Sequence, residues 1–146
     1  MDEMNQQEES RMKHIMVAID GSEPSLRALE HAAGLAKSLE ARLSVLIVRE
    51  FVVGRKDVYP VLNKSEIDQI QKQAKEIATA SGDPQAEFLV EESRDAAFTI
   101  VEAAIERGVD LIVMGASGKG GIKKFLLGSV SSEVLRKSAC PVTIVH

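Results

Sequence analysis

Two glycines, Gly115 and Gly118, close an apolar run, and Gly128-Ser129 stands further on at the start of a helical segment. A loop of this kind can cradle phosphate. Glycine takes positive φ without steric cost and keeps Cβ atoms clear of a ligand, while a Gly-Ser pair at a helix N-terminus presents bare amides and a hydroxyl. The plain alternative is a strand-ending turn, a loop and a helix capped by Ser129 with nothing bound. Two other phosphate motifs are absent from the loop. Gly121-Ile122 follows Gly120 where a P-loop needs lysine and a hydroxyl, and Lys123 falls where G-x-G-x-x-G needs its last glycine.

Further residues can join this chemistry. Asp20-Gly21-Ser22 follows an earlier apolar run. An ionised carboxylate only accepts hydrogen bonds, so Asp20 suits a ribose hydroxyl or a metal-bound water near phosphates; it equally suits the dipole of the helix it precedes. Val48 ends the second apolar run, where free backbone groups can read an adenine edge. Lys119, Lys123 and Lys124 either neutralise a polyphosphate or keep an exposed loop soluble. No Ser-His-Asp order, H-E-x-x-H or paired carboxylates mark a catalytic centre, so no catalytic residue is assigned. His14, His31 and His146 share no metal-ligand spacing, which gives them surface or structural roles and leaves no protein metal site. Cys140 is the single cysteine, which excludes an internal disulfide; it reads as a small buried apolar residue in a reducing, cytoplasmic compartment.

The elements that must position these residues are legible from periodicity. Apolar runs at Ile15-Ile19, Leu43-Val48, Phe88-Val90, Leu111-Met114 and Val142-Val145 are, the third excepted, too continuous for half-solvated strands and read as buried parallel ones. Between them, helical stripes recur: Ala28, Ala32, Leu35, Ala36 and Leu39; then Ile67, Ile70, Ala74, Ile77 and Ala78; then Ile100, Val101, Ala104 and Ile105. Starts are marked by Ser22 before Pro24, by Asn63 with Glu66 as a capping box, and by Ser93 or Asp95; stops are marked by Gly82 and Gly108. Alternation of strand and helix predicts an α/β fold with a five-stranded parallel, doubly wound sheet and right-handed crossovers. In such a sheet, the carboxyl ends of the first and fourth strands share the crevice where ligands bind. The stretch 51–62 lacks a period and reads as a mobile loop, either a lid over that crevice or a plain surface loop.

At 146 residues, the chain is expected to form one domain over 13–146 after a polar, flexible leader at 1–12 that is not a signal peptide. With 18 basic and 22 acidic residues, the net charge of −4 gives no electrostatic case for nucleic acid or anionic membrane as a partner, and no apolar run is long enough to span a membrane.

The spacing G-x2-G-x9-G-S within LIVMGASGKGGIKKFLLGSVSSEVLRKSACPVTIV resembles the ATP-binding branch of the universal stress protein family, and HIMVAIDGSEPSLRALEHAAGLAKSLEARLSVLIV resembles that family's first strand, helix and second strand. Together they cover about residues 13–145. The resemblance implies a Rossmann-like sheet of strand order 3-2-1-4-5 with helices on both faces. It implies binding of ATP, or of ADP or AMP, through Asp20, Val48, Met114, Gly115, Gly118, Gly128, Ser129 and Val130, with Mg2+ held through the phosphates. Glu92-Ser93-Arg94-Asp95-Ala96 departs from the family's Gly-x-Pro-like turn, although a Ser or Asp cap can start the helix without proline. The order 3-2-1-4-5 leaves Val142-Val145 at an edge without lysine or internal proline, so a homodimer through this strand is expected. The expected function is a nucleotide-dependent regulatory or protective module in stress response. The alternatives are a slow metal-dependent ATP hydrolase and a dimeric interaction module with an empty crevice.

Overall fold

A computed structural model describes residues 12–116 and 128–146. Residues 1–11 of the leader, and Gly118, Lys119, Lys123 and Lys124 of the glycine loop, lie outside the described residues. The described elements are strands β1 (His14–Ile19), β2 (Arg42–Val53), β3 (Val58–Pro60), β4 (Glu87–Ser93), β5 (Leu111–Gly115) and β6 (Val142–Val145). Helices α1 (Glu23–Leu39), α2 (Lys64–Ala80), α3 (Ala96–Glu106) and α4 (Ser129–Lys137) alternate with them.

Continuous apolar runs make central strands because both faces of the sheet are covered. In β1, Ile15, Val17 and Ile19 pack with α1 and α2, whereas Met16 and Ala18 pack with α3 and α4. Two of the helices supply a stripe of small residues that lets them approach the sheet closely: Ala28, Ala32, Ala33 and Ala36 of α1, and Ala97, Ala103 and Ala104 of α3. Leu29 of α1 is fully buried; enclosing a side chain of that size stabilises by roughly 1.5–3 kcal/mol. Met12, at the end of the expected leader, also packs against this core.

Parallel pairing runs β4-β2-β1-β5-β6, with β4 and β6 outermost. Counting the parallel strands alone, this is the order 3-2-1-4-5. The sheet has six strands rather than five, because part of the expected loop at 51–62 is a hairpin. The end of β2 pairs antiparallel with β3 through Phe51 with Pro60, Val52 with Tyr59 and Val53 with Val58. Gly54 N–H donates to Asp57 O at 2.7 Å and closes the turn. The hairpin escapes a periodicity test because both of its faces are wet: Val52, Val53 and Tyr59 are more than half exposed.

Local capping follows the sequence. Ser22 caps α1 through its side chain, and Asn63 and Glu66 form the full capping box of α2. Asp95, not Ser93, caps α3, by accepting from Phe98 N–H at 3.1 Å; proline is not needed there. Ser93 instead ends β4, and its hydroxyl accepts from Asp95 N–H at 2.9 Å. Cys140 is only partly buried, against the α3/α4 side of the core, and lies 3.5 Å from Ser138 Oγ.

At the amino ends of the strands a polar network locks the sheet. His14 is 3% exposed; its Nε2 lies 2.7 Å from Ser44 Oγ, and the Ser44 hydroxyl donates to Glu87 Oε2 at 3.1 Å. Arg107 bridges to the other Glu87 oxygen at 3.2 Å, and its carbonyl lies 3.1 Å from His14 Nδ1. Asp110 accepts from the backbone N–H groups of Lys13 and His14 at 2.8 and 3.0 Å. No helix among the described residues is long and apolar enough to cross a membrane.

Candidate functional site

The opposite, carboxyl end of the sheet opens into a cleft. After β1 the chain enters α1 on one face, whereas α4, which follows β5, lies on the other, so the two connections part and leave space between neighbouring strands. Such a switch point is the usual ligand site of doubly wound sheets. The cleft has a volume of about 440 Å³, a size typical of small-molecule sites.

Seven of the eight residues expected to bind meet here. Asp20, Val48, Met114, Gly115, Gly128, Ser129 and Val130 all line the cleft, whereas Gly118 lies outside the described residues. The β1–α1 turn orients Asp20: its Oδ1 accepts from Ser22 N–H at 2.9 Å, and its own N–H donates to Ser25 Oγ at 3.3 Å. Ser25 then donates to Ser22 O at 2.9 Å. Gly21, at φ +86°, supplies the left-handed residue that this tight turn requires. These bonds hold Asp20 in a fixed turn at the cleft wall.

Gly115 does not behave as the spacing suggested. It is the last residue of β5, paired with Val145, and is not among the glycines with positive φ. A Cβ at this position would meet the Pro24 carbonyl carbon at 2.7 Å and Ser25 N at 2.8 Å. Its missing side chain makes room for the first turn of α1.

The start of α4 is fixed to β5 independently of the loop between them. Gly128 N–H donates to Ala116 O at 2.9 Å, and the buried Ser131 hydroxyl donates to Gly115 O at 2.9 Å. Gly128 is the N-cap and Ser129 the first helical residue, so the cap has no side chain to offer. Ser22, Asn63 and Asp95 cap the other three described helices, and α4 alone of the four has no side-chain cap. Its first-turn N–H groups, without intrahelical acceptors, carry the positive end of the helix dipole into the cleft.

Periodicity missed part of the wall. After the hairpin, Val61 N–H donates to Glu50 O at 2.8 Å and Arg49 Nε donates to Leu62 O at 3.3 Å. These bonds hold Val61 and Leu62 against the end of β2, where they line the cleft with Val48 and Glu50. The available signal was an apolar pair directly before the Asn63 cap. Among the described residues, no group of three or more His, Cys, Asp or Glu side chains is placed to hold a metal ion.

Residues 12–146 match the model of the universal stress protein family. The chain belongs to the universal stress protein family. It is similar to the universal stress protein YxiE of Bacillus subtilis (strain 168), at 41% identity over 146 residues covering 90% of this chain and 97% of that one. Among solved structures, it is similar to a universal stress protein in complex with cAMP, with a TM-score of 0.74 and 31% identity over 94% of this chain and 98% of that one. The Archaeoglobus fulgidus universal stress protein in complex with dAMP shares the fold, with a TM-score of 0.71 at 22% identity over 93% and 99% of the two chains. The α/β architecture with the cleft at its switch point is thus the universal stress protein fold.

Proposed function

We propose that this universal stress protein is an adenine-nucleotide-binding module of the ATP-binding branch, with a regulatory or protective role in stress response. The observation that carries this reading is the start of α4: a helix capped by glycine, without a side-chain cap, facing a cleft at the switch point. Phosphate oxygens suit those N–H groups because they supply both the missing acceptors and negative charge at the dipole's positive end. Similarity to a structure holding cAMP supports the same class of ligand.

In this reading, the N–H groups at Ser129 and Val130 and the Ser129 hydroxyl hold phosphate, together with Gly118, while Gly128, whose own N–H is bonded to Ala116 O, lets the phosphate approach by carrying no side chain. Asp20 accepts from the ribose hydroxyls, and Met114 and Gly115 form the floor between ribose and phosphate. Backbone groups at Val48 read the adenine edge. The working ligand is ATP, or ADP or AMP, with Mg2+ carried by the phosphates. The protein acts in the cytoplasm, consistent with its free Cys140, as a homodimer through β6.

Acid extraction of freshly purified protein followed by nucleotide chromatography tests the class. An adenine nucleotide in near-stoichiometric amount is expected. Protein that releases none, and that gives no heat on titration with millimolar ATP, ADP or AMP, would overturn the proposal.

A further inference from the structure

The cleft is chemically polar along its length. One end, beside β5, presents the donors of the α4 N-terminus. The other end, beside β2, presents a carboxylate: Glu50 follows Val48 by two residues, so both side chains leave β2 on the same face, and both line the cleft. Since β1 lies between β2 and β5, a ligand filling the cleft spans the two ends.

The surroundings of Glu50 suit a flat heterocycle better than a second anion. Val48, Val61 and Leu62 provide apolar walls beside it. Glu50 is itself half-buried, and no described side chain forms an ion pair with it. Its backbone carbonyl accepts from Val61 N–H at 2.8 Å, which fixes the residue on the strand at the cleft wall. An ionised carboxylate only accepts hydrogen bonds. It rewards an exocyclic amine and repels a carbonyl oxygen.

We infer that Glu50 is a specificity-determining residue that selects a 6-aminopurine over a 6-oxopurine, by accepting a hydrogen bond from the exocyclic amine at the β2 end of the cleft. The inference rests on the nucleotide-binding reading and adds a side-chain contact to the backbone contacts assigned to Val48. A hydrogen bond to a charged group, lost and replaced by repulsion, corresponds to roughly ten- to hundredfold in affinity.

Calorimetric titration of wild-type, Glu50→Gln and Glu50→Ala proteins with ATP and with ITP tests it, because the two nucleotides share ribose and phosphates and differ at the six-position and its neighbouring ring nitrogen. Wild-type protein should favour ATP by about tenfold or more. In Glu50→Gln the amide can turn either its oxygen or its nitrogen to the base, so the ratio should shrink to within about threefold, mainly through tighter ITP binding. In Glu50→Ala the ratio should shrink through weaker ATP binding. Equal affinities in the wild type, or an unchanged ratio in Glu50→Gln, would overturn the inference while leaving nucleotide binding intact; selection would then lie with the Val48 backbone or elsewhere. A wild-type protein that binds neither nucleotide would remove the nucleotide reading itself, and this inference with it.

Discussion

Gly115 at the end of β5 and Pro24 in the first turn of α1 approach so closely that a single methyl group cannot fit between them, since a Cβ on Gly115 would lie 2.7 Å from the Pro24 carbonyl carbon. The obstacle is backbone on both sides, so no rotamer change relieves it. Gly115→Ala should therefore push α1 from the sheet and cost about 1–3 kcal/mol, the usual range for overpacking. Because Asp20 and Ser22 lie in the turn that opens α1, nucleotide affinity should fall as well. Urea unfolding and ATP titration of the same variant check both effects; a variant as stable as the wild type would show that the contact is soft.

That contact marks where sequence stops being informative. The central strands were legible because β1, β2 and β5 are covered on both faces, and so carry unbroken apolar runs. Ser22, Asn63 and Asp95 were legible because a cap is a local matter of a few residues. The seven cleft residues were legible chiefly through the family resemblance, and a doubly wound sheet brings together the strand ends that carry them. The role of Gly115 depends on the distance between a strand and a helix ninety residues earlier, which no local pattern encodes. The β2–β3 hairpin, exposed on both faces, has no burial period to read. Val61 and Leu62 reach the cleft only because that hairpin returns them to β2.

His14 links stability to pH. Burial lowers its pKa below the ordinary imidazole value; the hydrogen bond to the Arg107 carbonyl opposes that shift, and the Arg42 charge adds to it, while Glu87 and Asp110 oppose it. With the Ser44 hydroxyl donating to Glu87, Ser44 Oγ must accept from His14 Nε2–H, which in the neutral ring leaves Nδ1 to accept from Arg42 Nη2 at 3.2 Å. A second proton would sit on Nδ1, between the Arg107 carbonyl oxygen at 3.1 Å, which accepts it, and the Arg42 guanidinium, which repels it. Above about pH 6.5, both the folded and the unfolded chain hold the ring neutral; below it, the unfolded chain takes up a proton that the folded one resists. Stability should therefore fall as pH drops through the window from about 6.5 to the lower folded-state value. Urea midpoints at about pH 8 and pH 5.5 should differ more for wild type than for His14→Gln, and equal differences would assign the acid sensitivity to other groups.

The start of α4 offers a test in which stability and binding move in opposite directions. Gly128 has φ −66° and ψ 162°, an extended conformation open to any residue, and it supplies no capping side chain. Gly128→Asp would provide the missing acceptor and place a negative charge at the positive end of the dipole, stabilising the ligand-free protein by about 0.5 kcal/mol. The same carboxylate would occupy the phosphate position and repel the ligand. A small rise in Tm without nucleotide, together with loss of ATP-induced stabilisation, is expected. A variant that keeps wild-type ATP affinity would place the phosphates elsewhere in the cleft.

The edge strand β6 makes the last prediction. It pairs with β5 on one side only, from Val142 opposite Ile112 to Val145 opposite Gly115, and all four of its residues are half-buried in the single chain. Val142 and Ile144 pack toward the α3/α4 side of the core and Val145 toward the α1/α2 side, so the strand is held flat, with its outer backbone groups unpaired by any described strand. An exposed apolar edge of this kind invites a second strand, and an antiparallel copy about a two-fold axis satisfies the backbone of both chains at once. Lysine at Thr143 opposes such pairing by placing like charges close together across the axis. It replaces a polar, half-buried side chain, whereas a lysine at Val145 would replace an apolar one that packs against the core. Thr143→Lys should shift sedimentation toward monomer while leaving the Tm of the diluted protein almost unchanged. Wild-type protein that sediments as a monomer at high micromolar concentration, or a Thr143→Lys variant that remains dimeric, would exclude β6 as the dimer interface.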